Sequence, residues 1–117
     1  MIVLELPYPP SVNHHWRRVG HRTLISKEGR LFRKRVLTML SVHHREPLAG
    51  RLHVRVLVYP PDRRRRDLDN IIKALFDALE HGGVYENDSQ IDRLTIERGE
   101  VFKGGKAVVE ITEVHSS

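Results

Sequence analysis

Apolar residues in this chain recur with two different periods, and each period predicts its own kind of element. The apolar, β-branched run at residues 2–6 predicts a short strand. Every second position of residues 52–58 is apolar, which predicts a strand with one buried face. Residues 91–102 and 106–114 predict two more strands, and the Gly104-Gly105 pair between them is typical of a hairpin turn.

Two other segments repeat their apolar residues at the three- and four-residue spacing of a helix face. The first extends from an N-cap at Ser26 to about residue 43, and the second begins near Asp67 and ends at Gly82-Gly83. One face of the first helix is predicted to contain Phe32, Val36, Met39, Leu40 and His43. The buried stripe of the second helix is predicted to contain Leu68, Ile72, Leu75, Phe76 and Leu79. Residues 9–23 are polar and basic without any period, and they predict a long loop.

The predicted order is therefore β-α-β-α-β-β. This order is typical of an α+β fold, in which a small mixed sheet carries two helices packed on it. The length of 117 residues is that of a single domain, and we expect residues 1–117 to form one.

Charge changes sign along the chain. Residues 1–66 contain 15 Lys and Arg against 4 Asp and Glu, and residues 67–117 contain 5 against 11, which gives the net charge of +5. A basic half of this density favours nucleic acid as the partner, with an anionic membrane surface as the second candidate and a solvated arginine-rich surface as the third.

Several classes of protein are excluded by composition. The chain contains no cysteine, which excludes disulfides, zinc-thiolate sites and thiol nucleophiles. No apolar run approaches the about 20 residues that a membrane span needs, and no signal peptide is visible. We expect a cytoplasmic protein without membrane association.

The sign change falls within residues 63–70, whose sequence is RRRRDLDN. Asp67 and Asp69 lie where the second helix is predicted to begin, and either a helix-capping or a chemical role would explain them. Asp88 precedes another predicted strand and is expected to return to the same rim of the sheet. Three carboxylates beside dense positive charge favour a Mg²⁺ site that acts on phosphates, with Mn²⁺ able to substitute.

The basic residues around these aspartates have their own predicted roles. Arginines 63–66 would draw in and clamp nucleic-acid phosphates. Lys73 follows Asp69 by four residues, so it would either stabilise charge at the reacting phosphate or form an ordinary surface ion pair with Asp69. The D-x-D motif formed by Asp67 and Asp69 is, taken alone, weak evidence for a particular function. No glycine-rich phosphate loop is present, so no nucleotide cofactor is expected.

The sequence resembles the RusA family of Holliday-junction resolvases. The resemblance rests mainly on PDRRRRDLDNIIKALFDAL at residues 61–79. It also includes, in the same order, LPYPPSVNHHW, GGVYENDSQI and KGGKAVVEITE, so that it covers nearly the whole chain. It implies a homodimeric, Mg²⁺-dependent endodeoxyribonuclease that binds four-way DNA junctions and cuts two opposed strands symmetrically.

The resemblance also implies roles for individual residues. It places the catalytic, metal-binding aspartates at Asp67, Asp69 and Asp88 and the catalytic lysine at Lys73. Arg66 matches the arginine that precedes the first aspartate. Two further positions are Asn13, which would support the active site or contact DNA unless it is a turn residue, and Asn87, where the family often has a second acid.

Two other functions remain open from the sequence. One is a DNA-binding module without catalysis, whose aspartates only cap a helix. The other is an enzyme that acts on a small phosphorylated ligand and has no affinity for DNA.

Overall fold

The structure, a computed structural model, describes residues 1–11, 16–42 and 46–114. Within these ranges the chain forms, in order, strands and helices β1 (Ile2–Leu6), β2 (Trp16–Val19), β3 (Arg22–Ile25), α1 (Lys27–Leu40), β4 (Arg51–Tyr59), α2 (Ile72–His81), β5 (Ile91–Arg98) and β6 (Lys106–Val114). Short 3₁₀ turns at Leu68–Ile71 and Asp88–Gln90 lead into α2 and β5.

Four of the strands form one mixed sheet in the order β1-β6-β4-β5. Strand β4 pairs antiparallel with β6 and parallel with β5. Parallel neighbours require a crossover, and α2 with its preceding 3₁₀ turn provides it. The predicted α+β class and the mixed sheet with two helices are confirmed.

The alternating pattern of β4 produces one apolar face of the sheet. Its even-numbered residues from Leu52 to Val58 are buried, and the register places Val54 opposite Ile111 and Val56 opposite Val109. Helices α1 and α2 cover this face with the buried side chains of Phe32, Val36, Leu40, Ala74, Leu75, Ala78 and Leu79. Each large apolar side chain buried in this layer contributes about 1.5–3 kcal/mol relative to exposure.

Helix α1 begins where the sequence predicts. The Ser26 side chain accepts a hydrogen bond of 3.0 Å from the backbone N–H of Gly29, so the N-cap is confirmed. The helix ends at Leu40, which is earlier than predicted, and residue 43 lies outside the described residues. Met39, predicted to lie on the same helix face as Phe32 and Val36, is 40% exposed.

The predicted strand connections need two corrections. Residues 16–25, most of which belong to the predicted loop of residues 9–23, form the β2-β3 hairpin. Its turn begins at Gly20 with φ +60°, the positive φ that a tight two-residue hairpin turn requires at its first position. The predicted hairpin at Gly104-Gly105 is absent, because β5 and β6 lie on opposite sides of β4. Strand β5 ends at Arg98, and residues 99–105 cross the end of β4 to reach β6.

None of the helices within the described residues is both long and apolar enough to cross a membrane.

Candidate active site

The loop after β4 delivers the arginines and the first two aspartates to one end of the sheet. Pro60 and Pro61 end the strand, since proline cannot continue a ladder. Asp67 follows in an extended conformation, and a 3₁₀ turn comes before the α-helix that was predicted to start there. The Asp67 side chain makes no capping hydrogen bond, so the capping interpretation of this residue is wrong.

The third aspartate lies in the 3₁₀ turn before β5. Asn87 caps this turn, with its side-chain oxygen accepting from the backbone N–H of Ser89 at 2.8 Å. The backbone N–H of Asp88 donates to a carboxylate oxygen of Glu80 on α2 at 2.9 Å. Asn87 thus has a structural role at the position where the sequence differs from the family pattern.

A buried glutamine fixes the turn that carries Asp88. The side-chain oxygen of Gln90 accepts from the backbone N–H groups of Glu86 and Asn87 at 2.9 and 2.8 Å. Its amide nitrogen donates to the carbonyls of Leu48 and Gly50 at 2.8 and 2.9 Å. All four bonds are to backbone, so this side chain joins the Asp88 turn to the segment that enters β4.

Three of the predicted site residues meet in one open depression of about 440 Å³. Asp69, Lys73 and Asp88 line it, with Asn70 between them and the apolar side chains of Ile72, Phe76, Leu94 and Ile96 around them. The expectation that Asp88 returns to the rim occupied by Asp69 is therefore correct. Asp67 lines an adjoining depression of about 470 Å³, which shares Asn70 with the first.

The aspartates of the chain fall into two groups. Asp62, Asp77 and Asp92 each pair with an arginine. In contrast, the side chains of Asp67, Asp69 and Asp88 are exposed and form no ion pair or hydrogen bond with any described residue. Carboxylates left unpaired in an arginine-rich protein keep all their oxygens available for a ligand.

Lys73 is likewise exposed and unpaired with any described residue. The alternative interpretation, an ion pair with Asp69, is therefore wrong. Its ammonium is available to a ligand in the same depression as Asp69 and Asp88.

Arg66 is held by three groups from different parts of the chain. Its Nη1 donates to Asp62 Oδ1 at 2.7 Å, and its guanidinium lies 5.8 Å from the centre of the Tyr8 ring. Its carbonyl accepts from Arg98 at 2.5 Å. Hydrogen bonds from Arg66 and from the backbone of Arg64 lower the pKa of Asp62 to about 2. Burial raises the pKa of Tyr8, an effect that Arg66 and Arg98 oppose.

Arginines 63–66 and Arg98 line a third depression, of about 400 Å³, on the other side of Arg66. Arginines 63, 64 and 65 are exposed, and the guanidinium of Arg64 makes a long contact of 3.7 Å with the carboxylate of Asp62. A row of exposed guanidinium groups in a concave surface fits the backbone phosphates of nucleic acid.

Comparisons with known proteins identify the family of the chain. The family described as Endodeoxyribonuclease RusA matches residues 7–112. Three proteins named crossover junction endodeoxyribonuclease RusA are similar over 112 residues, which is 95% of this chain and 93% of each of them. The protein of Enterobacteria phage HK97 is 43% identical, that of Enterobacteria phage 82 is 39% identical, and that of Escherichia coli K12 is 38% identical.

The chain belongs to the RusA family. Its membership agrees with the resemblance that the motif of residues 61–79 indicates. Asn13, to which the resemblance assigns a supporting role, lies outside the described residues, and so do His14 and His15.

Sequence reasoning missed three residues of this candidate site. Tyr8, Gln90 and Arg98 come from the segment after β1, the Asp88 turn and the end of β5, so none of them belongs to the motif of residues 61–79. The only local signal was that Gln90 is a polar residue directly before the predicted strand at residues 91–102.

The residues of this candidate site have the oxygen ligands that Mg²⁺ prefers, although the described residues do not form a preassembled metal site. No three carboxylate or imidazole groups of the described residues lie close enough together to hold a metal ion. The available donors are nevertheless all oxygen. Mg²⁺ is commonly held by one or two carboxylates together with water and substrate phosphate. Asp69 and Asp88, in one depression, meet that requirement, and Asp67 lies next to them.

Proposed function

We propose that the chain is a Mg²⁺-dependent endodeoxyribonuclease that acts as a homodimer and resolves four-way DNA junctions by paired, symmetric cuts. The observation that carries this proposal is the group of three unpaired aspartates beside a concave row of arginines. Membership in a family whose relatives are named crossover junction endodeoxyribonucleases supports the same substrate. Those relatives are phage and bacterial proteins, which supports action on DNA in a bacterial cytoplasm.

The charges of the site explain why carboxylates and arginines lie side by side. Bare carboxylates repel a phosphodiester, and a divalent cation bound between the two reverses the local sign. Asp67, Asp69 and Asp88 would hold that cation. The chemistry that Mg²⁺ supplies at such a site is activation of water and neutralisation of charge on a phosphoryl oxygen.

The basic residues would position the strand and stabilise the reaction. Arginines 63–65 would bind phosphates that flank the cleaved bond, because they are exposed and line the same depression. Arg66 would hold the reacting phosphate against the aspartates from a side chain already fixed by Asp62 and Tyr8. Lys73 would stabilise negative charge on the leaving oxygen.

A dimer follows from the symmetry of the substrate. One chain measures 44 × 37 × 26 Å, and its described residues contain one set of unpaired aspartates. Two opposed cuts require two such sets, and a two-fold dimer would present them to the two-fold related strands of a junction.

A DNA-binding module without catalysis is the second candidate. It is favoured by the lack of a preassembled metal site in the part of the chain that the structure describes. Such a module would bind DNA with strong salt dependence and leave it intact.

One assay separates these functions. Purified protein is incubated with a labelled four-way junction or a linear duplex of the same sequence, in Mg²⁺ or in EDTA. We expect paired nicks at symmetric positions on the junction in Mg²⁺ alone. Binding without products in any metal would indicate the module, and no affinity for either DNA would contradict both.

A further inference from the structure

The connection between β5 and β6 presents two apolar side chains to solvent next to the arginine depression. Val101 and Phe102 are each 47% exposed. Val101 lines the same depression as arginines 63–66 and Arg98. Other apolar side chains are also exposed on this chain, and what distinguishes this pair is its position beside the arginine depression.

The backbone of this connection is tied to the end of β4. The N–H of Gly99 donates to the carbonyl of Val58 at 2.7 Å, and the N–H of Phe102 donates to that of Pro60 at 2.9 Å. Gly99 lies directly against the Tyr59 ring, where an added Cβ would come within 2.7 Å of it. The apolar pair is therefore carried on a rigid segment.

The Phe102 ring is also held in place. The Lys106 ammonium lies 4.4 Å from the centre of this ring and 4.9 Å from that of Tyr59. Lys106 in turn pairs with Glu5 at 3.5 Å. The ring orientation is thus fixed on one side by a cation, while nearly half of the Phe102 side chain stays open to solvent.

We propose that residues 99–105 form a wedge that contacts unstacked bases at the branch point of a junction, with Phe102 and Val101 as the contacting side chains. This inference rests on the proposed function. Apolar side chains next to phosphate-binding cations are the means by which proteins enter opened base steps, and aromatic rings stack on unpaired bases of any sequence. A linear duplex offers stacked bases only, so the wedge would favour branched over linear DNA.

The test uses junctions that carry 2-aminopurine either at the branch point or in the middle of one arm. The full-length chain is added in EDTA, so that no strand is cut. We expect the fluorescence of the branch-point probe to rise on binding, because 2-aminopurine brightens when it is unstacked from its neighbours, whereas the arm probe stays dark.

Variants assign the effect to the wedge. The double variant Val101→Ser, Phe102→Ser is expected to lose the fluorescence rise and to bind the junction about tenfold more weakly, with unchanged affinity for linear duplex. Phe102→Tyr keeps the ring and should keep the rise. Leu31→Ser is the control, since Leu31 is 48% exposed but does not line the arginine depression. Thermal unfolding of each variant verifies that it is folded.

The outcomes separate the wedge from the proposed function. Tight junction binding by the wild-type chain without a rise at the branch point, or a rise that the folded double variant retains, would overturn the wedge alone. Loss of self-association in the double variant, measured by light scattering, would identify the pair as a subunit contact and would also overturn it. Failure of the wild-type chain to bind any junction would instead contradict the proposed function.

Discussion

The guanidinium of Arg66 is fixed by the carboxylate of Asp62 four residues earlier, with 2.7 Å between Nη1 and Oδ1. Asp62 also accepts a hydrogen bond of 2.9 Å from the backbone N–H of Arg64. The two bonds fold the arginine-rich loop back on itself and leave Arg66 next to Asp67. Asp62 is thus a positioning residue for the arginine closest to the candidate catalytic carboxylates.

The variant Asp62→Asn should therefore reduce turnover more than binding. The side-chain amide of this variant would leave Arg66 with a weaker, neutral acceptor, and misplacement of a positioning group of this kind reduces the rate about ten- to hundredfold. Junction affinity should be unchanged or higher, because the variant removes a negative charge from the arginine depression. Single-turnover cleavage and binding in EDTA measure the two quantities separately. Asp92→Asn is the control, since it removes a comparable arginine pair, with Arg51. Equal losses of turnover in both variants would contradict the positioning role.

The same ion pair predicts how stability depends on pH. The pKa of Asp62 is lowered to about 2, so the pair stabilises the folded state fully at pH values above the ordinary aspartate pKa of about 3.9. That contribution is lost as the pH falls towards about 2. Urea unfolding of the wild type and of Asp62→Asn should differ at about pH 6 and converge as the pH falls to about 2. If the difference in unfolding free energy between the two proteins persists unchanged at the lowest pH, protonation of Asp62 does not control the contribution of this ion pair.

Neutralising each unpaired aspartate should separate cleavage from binding. Asp67→Asn, Asp69→Asn and Asp88→Asn are each expected to reduce cleavage by about a hundredfold or more, since each removes a charge that the reaction requires. Binding to the junction in EDTA should be retained or strengthened, because each variant removes repulsion towards phosphate. Near-wild-type cleavage by all three variants would contradict the assignment of the site.

The exposed arginines should control the salt dependence of binding. Replacing both Arg63 and Arg64 by alanine is expected to weaken binding to all DNA and to reduce the slope of log affinity against log salt by about 1.8, since each phosphate contact contributes about 0.9. Arg66→Ala should instead affect turnover more than affinity. Arg55→Ala, whose native side chain pairs with Glu97, is the matched control. An unchanged slope in the double variant would show that these two arginines do not contact phosphates.

Local signals in the sequence were reliable where one short segment decides the structure. The alternation of residues 52–58 is sufficient to predict β4 and its buried face, because a strand with period-2 burial has no helical alternative. Ser26 predicts the start of α1 for a similar reason, since its side chain satisfies a backbone N–H within one turn. Both features depend on contacts among neighbours in the chain.

The order of strands could not be obtained in this way. Gly104 and Gly105 have φ angles of +87° and +71°, so the turn signal is real, but the chain uses it to enter β6 after crossing the end of β4. Gly105 also lies against Tyr8, where an added Cβ would come within 2.8 Å of the side chain. A contact between residues so far apart in sequence leaves no local pattern, which is why the hairpin prediction was wrong.

The candidate site shows the same division. The aspartates and arginines of residues 63–70 were identified because they are adjacent in sequence and unusual in charge. The groups that orient them, Tyr8 and Arg98, come from elements that only the folded chain brings together. Gln90 had no chemical signature of its own, although it fixes the turn that carries Asp88.

The role of Gln90 gives a prediction about both stability and activity. Gln90→Leu would leave two backbone N–H groups and two carbonyls without the partner they have now, and we expect it to lower the free energy of unfolding by about 2–4 kcal/mol. Gln90→Glu keeps the two accepting interactions but turns a buried carboxylate oxygen towards the carbonyls of Leu48 and Gly50, which repel it, so its cost should be at least as large.

Urea unfolding measures the stability of these variants, and cleavage of the junction well below the melting temperature measures the effect on Asp88. Because Gln90 holds the turn and does not line the substrate depression, cleavage should fall in both variants, in step with their loss of stability. A fully stable Gln90→Leu protein would contradict the anchoring role, and a destabilised one with wild-type cleavage would show that Asp88 does not depend on it.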